Sequence, residues 1–362
     1  MDLVAAAPIC RENGLFFSFA SDNELAPSLR KAAVDPLIVR TFAHGIALAL
    51  TALRLPIALV SLIRYCRGRR IGTVVNLMPH LWTGVAAVAA RCCGLRWTCV
   101  VHEATRRHPG DWTGLANWIL RFEIRMADRI VALSNHVRRQ LDGGIARGRR
   151  VTTIPLYALG YGSRSAPKPC RKDDEPVRFL FFGRIMRYKG LDRFVSACEA
   201  LAAEGRAFSV GVVGNGRLGS LAPRLQRLNA MIENRWIAHE EVGAYLSRFD
   251  VVVVPAVEAS QSGVVATAHG CGMPAIVTPV GGMVEQVRDG VDGLVCADTG
   301  ATAVAAAMRR VIDAPGLLQE LRAGARLRSA GNGPGHFLDA LLAAASAEAC
   351  AATGMSVADT RA

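Results

Sequence analysis

The chain has no Cys-x-x-Cys pair among its 10 cysteines, and aromatic residues make up only 6% of its 362 positions. The first absence removes the common zinc and redox spacings. Cys99, Cys198 and Cys271 sit inside apolar runs, as small core residues do. Free thiols of that kind suit a reducing compartment. The scarcity of aromatics leaves few platforms for base stacking, and no zinc-finger spacing or RRM signature is present, so nucleic acid is not an expected partner. Met1 to Cys10 lacks the basic segment and long apolar stretch of a secretory signal, which predicts a cytoplasmic protein. With 51% hydrophobic and 20% charged residues, neither disorder nor a fibrous class fits.

What is present points to a two-domain α/β protein. A length of 362 residues exceeds one ordinary core, and two domains imply a cleft between them. The 43 Lys and Arg against 30 Asp and Glu leave a formal charge of +13. That excess favours anionic partners such as phosphorylated ligands or acidic lipids. Residues 42–63 are rich in Leu, Ala and Ile and are followed by Arg64, Arg67, Arg69 and Arg70. A membrane span there is disfavoured by His44, Arg54 and Pro56. A buried helix, or a helix lying on the inner face of an anionic membrane, fits better.

Short apolar runs alternate with longer amphipathic ones. Residues 73–78, 97–101, 129–133 and 151–154 read as strands separated by helices, and a second series follows at 177–182, 208–213, 250–255, 275–278 and 293–296. Two doubly wound, Rossmann-like halves result. The stretch from Tyr157 to Pro176, rich in Gly, Ser, Pro and charge, reads as a linker, which sets an N-terminal domain at 1–165 and a C-terminal one at 166–334. Residues 335–362 read as a helix and tail, expected to pack back on the N-terminal domain. Ligands of such folds lie outside the carboxyl ends of the strands.

Two strand ends carry candidate chemistry. After 177–182 comes Gly183-Arg184-Ile185-Met186-Arg187-Tyr188-Lys189-Gly190, a glycine-started loop with cations suited to phosphate; alone it equally suits a solvated loop. After 250–255 come Glu258, then Ser262 and Gly263 before an apolar helix. Ser262 is a good N-cap and Gly263 allows close approach to the first amides, an anion site by backbone and dipole. A plain capped helix is the alternative. In the N-terminal half His102 follows a strand, where an imidazole facing the cleft can donate to a ligand hydroxyl or take a proton; a capping or loop His is the alternative. Glu103 and His80 are further cleft candidates. His239, before Glu240 and Glu241, reads as a helix cap.

These segments together resemble glycosyltransferase family 4. The resemblance rests on Phe181-Phe182-Gly183-Arg184 through Lys189-Gly190, Glu258 to Gly263, Gly272-Met273-Pro274, Gly281-Gly282-x-x-Glu285 and Asp289-Gly290-x-x-Gly293, in that order and spacing. It implies a GT-B fold, two domains facing across a cleft, and transfer from a nucleotide-diphosphate sugar with retention of configuration. By the same resemblance Arg184 and Lys189 bind the diphosphate, Glu258 contacts the donor sugar, and the amides of Ser262, Gly263 and Val264 cap the diphosphate. Nucleotide-base contacts fall near Asn234, Arg235 and Trp236. No metal cofactor is implied, and the chain has no Asp-x-Asp.

Two departures stand out. Family members commonly carry a second acid that holds the ribose, and Thr267 occupies its place; the Gln-Ser-Gly-Val form resembles a branch in which that acid is also absent. Residues 1–40 show neither the usual opening strand nor a Gly-rich loop. The expected function is sugar transfer onto a glycan or lipid-linked acceptor in cell-surface glycan synthesis. The alternatives are a GT-B nucleotide-sugar epimerase, which needs more cleft acids than Glu258, and a non-catalytic homologue within a glycan-assembly complex.

Overall fold

Val251–Val254 is four valines in succession, all buried. A strand apolar on both sides belongs between two helical layers, the arrangement of a parallel sheet. The computed structural model describes residues 15–20, 36–39, 53–78, 80, 82–104, 113–160, 175–314 and 316–346. Every strand pair in it is parallel.

The N-terminal half contains β1 (Ser18–Ala20), β2 (Leu37–Val39), α1 (Leu55–Gly68), β3 (Thr73–Asn76), α2 (Thr83–Cys92), β4 (Arg96–Val101), α3 (Thr113–Met126), β5 (Arg129–Ala132), α4 (Asn135–Asp142) and β6 (Val151–Thr153). The last four strands form one sheet in the order β3-β4-β5-β6. The pair β1 and β2 corrects the reading that residues 1–40 lack a strand; each spans three residues, and β2 is only partly buried at every position, so no continuous buried run marks it.

The second half contains β7 (Val177–Phe182), α5 (Leu191–Ala203), β8 (Phe208–Val213), α6 (Leu221–Arg227), β9 (Met231–Glu233), α7 (His239–Ser247), β10 (Val251–Val254), α8 (Gly263–Gly270), β11 (Ala275–Val277), α9 (Met283–Gln286), β12 (Gly293–Val295), α10 (Ala301–Asp313) and α11 (Leu317–Gly331). Its six strands lie in the order β12-β11-β10-β7-β8-β9. The strand order therefore reverses between β7 and β10, and a crevice opens at their carboxyl ends. Helices cover both faces, one through Phe194, Leu201 and Met308, the other through Val265, Ala268 and Met283. Asp250, fully buried just before β10, receives Arg178 through two bonds of 2.9 Å each and also Arg322, which ties β7, β10 and α11 together. Burial opposes its charge, yet these cations hold the carboxyl below its ordinary range.

A last helix, α12 (Pro334–Ser346), crosses to the first domain. Phe337 and Leu341 join Val100, Val131, Leu133, Ile154 and Tyr157 in one apolar cluster, and Arg129 Nη1 donates to the Ala344 carbonyl at 2.8 Å. The opening of the stretch read as a linker is likewise structured. Tyr157 and Ala158 are buried, Ala158 N–H donates to Asn332 O at 2.9 Å and Leu159 N–H to Ala266 O at 3.0 Å. Composition marked this segment as linker, but the packing of Tyr157 on Phe337, with ring centroids 5.0 Å apart, makes its first residues part of the core.

Candidate active site

The loops after β7 and β10 meet at the point where the strand order reverses. Gly190 has φ of +74°, and a Cβ there would stand 1.9 Å from the Pro255 carbonyl oxygen, so only glycine permits this approach. Val257 N–H donates to Tyr188 O at 2.8 Å. The short 3-10 turn Arg187–Lys189 is thereby fixed against the chain leading to Glu258. At the other end of the loop a Cβ on Gly183 would lie 3.2 Å from Val264 Cγ2, which brings the loop to the start of α8.

Arg184 is exposed and donates to the Tyr188 hydroxyl at 3.1 Å. Lys189 lies deeper: burial, and then the Arg184 guanidinium, push it below the usual lysine range, while Glu103 acts in the opposite direction. Two neighbouring cations, one of them partly desolvated, form a site that gains from a polyanion. Glu103 comes from the N-terminal domain, so its field on Lys189 reaches across the cleft.

The start of α8 supplies backbone donors. Ser262 Oγ accepts from Val265 N–H at 3.3 Å, and the first amides of a helix have no carbonyl of their own helix to bond. Gly263 is exposed, with open space where a side chain would project. A clamp missed by sequence reasoning sits beneath it: Gln286 Oε1 accepts from Ser262 N–H at 2.7 Å, and Gln286 Nε2 donates to Ser262 O at 3.1 Å. Its position, one residue after Glu285 of the Gly-Gly motif, was the available signal. Glu258 is exposed on the loop above.

From the first domain, His102 stands at the end of β4. Its Nε2 is 2.8 Å from Leu77 O and its Nδ1 is 3.0 Å from Gln261 Nε2. His80 is turned to its own loop, with Nδ1 3.3 Å from Trp82 N. Glu123, fully buried below, accepts from Asn76 at 2.5 Å, Thr83 at 2.6 Å and Trp97 Nε1 at 3.1 Å, and so braces the β3–α2 turn. The two domains also touch at α4, where Ser134 Oγ donates to Ser260 O at 3.1 Å.

Thr267, the residues around Asn234 and His239 have different surroundings. Thr267 is 4% exposed in the body of α8, so the structure does not bring its hydroxyl to the cleft surface. The cause is helical phase: Thr267 shares the buried stretch Val265–His269. Arg235 is held by Glu233, Glu241 and Tyr245, Asn234 Oδ1 accepts from Gly216 N–H at 3.2 Å, and Trp236 is 59% exposed. Capping of α7 falls to Glu241, which accepts from Ala238 N–H at 3.1 Å, and not to His239. Arg235 and this amide hold the Glu241 carboxyl down at about 2. Among the described residues no cluster of three or more His, Cys, Asp or Glu could hold a metal ion.

Residues 176–314, which carry both loops, match glycosyl transferases group 1. This stretch is a group 1 glycosyl transferase domain. The chain is 26% identical over 278 residues to 2-deoxystreptamine glucosyltransferase of Streptomyces kanamyceticus, a match covering 69% of this chain and 70% of that one. It is 33% identical over 242 residues to D-inositol 3-phosphate glycosyltransferase 1 of Catenulispora acidiphila, covering 61% and 57%. With that relative and several others the match spans little more than half of the relative's length. Anabaena HepE in complex with UDP and glucose superposes with a TM-score of 0.68 at 15% identity, over 94% of each chain. That likeness shows the GT-B fold.

Proposed function

We propose that this glycosyl transferase moves a sugar from a nucleotide-diphosphate donor to a glycan or lipid-linked acceptor, with retention of anomeric configuration. The observation that carries this reading is the meeting of Arg184, half-buried Lys189 and the first turn of α8 at the sheet's switch point. Breaking the bond between anomeric carbon and diphosphate leaves negative charge on the leaving group. Arg184, Lys189 and the amides of Gly263 and Val264 stabilise it, in a partly dehydrated crevice where such donors act most strongly. Glu258 binds hydroxyls of the donor sugar, and His102 faces them from the acceptor side. The HepE complexes with UDP and UDP-glucose support a uridine diphosphate donor as the first to test.

The acceptor reading includes contact with an anionic membrane. Residues 36–102 contain no Asp or Glu and eight Arg. On α1, Ile57 and Val60 are exposed on a stripe that continues to Arg64, with exposed Leu53 just before the helix. Residues 42–52 of the apolar stretch lie outside the described residues, and no described helix is long and apolar enough to cross a membrane.

The deciding experiment is a transfer assay with UDP-glucose and related donors over a panel of acceptors, beside a thermal-shift screen of nucleotide diphosphates. Arg184→Ala and Lys189→Ala should each lower transfer by about a hundredfold or more while the protein stays folded. Near-normal turnover in the double variant would overturn the site. Conversion of the donor sugar without acceptor would indicate an epimerase. Donor binding without transfer or hydrolysis across the panel would indicate a non-catalytic homologue.

A further inference from the structure

Leu77 and Gln261 hold the His102 ring from the two domains. Leu77 follows β3, and its carbonyl oxygen lies 2.8 Å from Nε2. Gln261 follows β10, and its amide nitrogen lies 3.0 Å from Nδ1. A carbonyl only accepts, so the ring proton of the neutral imidazole is on Nε2. The lone pair is then on Nδ1, and the Gln261 N–H donates to it. The oxygen of the same amide is buried without a hydrogen-bond partner among the described residues. Turning the amide over would set that oxygen against the lone pair of Nδ1. The unpaired oxygen is thus the consequence of an amide committed to the ring.

We propose that Gln261 is a positioning residue, reaching across the cleft to fix the Nε2–H tautomer of His102 and to aim its basic Nδ1 at the C-terminal domain. The backbone on either side is already held, Ser260 O by Ser134 Oγ and Ser262 by both ends of Gln286. A side chain springing from so fixed a base holds its partner in one orientation. The consequence for catalysis rests on the reading given under Proposed function. With Nε2 engaged by Leu77 O, a hydroxyl that bonds to His102 does so at Nδ1, in place of the Gln261 amide and on the side of the donor-binding domain. The other tautomer would present an N–H there.

The test is ¹⁵N-histidine NMR on the whole protein without ligand, at a pH where the ring is neutral, with His102 assigned by its loss in His102→Asn. The wild type should show the proton on Nε2. Gln261→Leu should mix the two tautomers, and Gln261→Glu should draw the proton toward Nδ1. Gln261→Met, which keeps the length of the side chain, serves in place of the Leu variant if that one fails to fold. With UDP-glucose as donor, Gln261→Leu should lower kcat by about tenfold to a hundredfold with little change in KM, and should add nothing to His102→Ala. A wild-type ring protonated on Nδ1, or a tautomer unmoved in the Leu variant even though turnover falls, overturns the inference. The expected tautomer change in a chain that never transfers sugar supports it and counts against the functional reading alone.

Discussion

The carboxylate of Glu285 accepts the backbone N–H of His136 at 2.8 Å, and that of Asn135 at 2.6 Å. A C-terminal-domain acid thus sits on the open end of α4 in the other domain, whose next amide, Val137 N–H, is met by Ser134 Oγ at 3.1 Å. Negative charge at a helix N-terminus is favourable, and a charged acceptor bonds more strongly than a neutral one. Glu285→Ala should therefore cost on the order of 1–3 kcal/mol, and Glu285→Gln less. Urea unfolding checks both. An Ala variant as stable as wild type would mean that water replaces the carboxylate without loss.

Glu258 and Thr267 should part company. A charged acceptor of sugar hydroxyls contributes about 1.5–3 kcal/mol, so Glu258→Gln should lower turnover strongly while binding of free UDP changes little. Buried Thr267 lies off the cleft surface. Thr267→Val should leave UDP affinity within about threefold, a difference below 1 kcal/mol. Calorimetric titration beside transfer assays measures both. A large affinity loss at Thr267 would show that α8 rotates or opens when nucleotide binds.

Acid stability should carry the mark of His269. Burial pushes this ring from its ordinary 6.5 down to about 4, the nearby Asp292 only partly offsetting it. Above pH 6.5 the ring is neutral in both folded and unfolded chains. Between 6.5 and 4 the unfolded chain takes up a proton that the folded one refuses, so stability falls as pH falls. Asp250 and Asp292 are held below their ordinary 3.8, so their own losses come at still lower pH. Urea midpoints at several pH values should fall between pH 6.5 and 4, and His269→Gln should flatten that slope. A slope unchanged by the substitution would exclude His269 as its source.

Membrane contact should depend on both charge and the apolar stripe. Each cation near an anionic surface contributes about 1 kcal/mol, reduced by salt. The protein should float with anionic vesicles at low salt and not with neutral ones. Replacing Ile57 and Val60 by Ser should weaken flotation while transfer to a water-soluble acceptor is retained. No binding to anionic vesicles at low salt removes the idea.

Long buried strands were legible from sequence because both their faces are apolar. The run 177–182 coincides with β7 and 208–213 with β8. Three-residue β1, β2 and β9 were not; β2 and β9 are only partly buried at every position, whereas the equally short β11, buried throughout, was legible. At the site, the glycine-framed loops were legible because φ of +74° at Gly190 and of +113° at Gly183 each demand a residue without a side chain. What the sequence could not convey was pairing between residues far apart. Gln261 with His102 and Glu285 with α4 join positions about 150 residues distant, and no spacing rule encodes such meetings.

The crossing of α12 gives the first domain an unusual assembly order. Val100, Val131 and Leu133 are made early on the ribosome, yet Phe337 and Leu341, which cover them, emerge some 200 residues later. Until then one flank of that early sheet stays bare and adhesive, a natural client surface for a chaperone. Any gene fragment stopping before codon 334 leaves that surface uncovered.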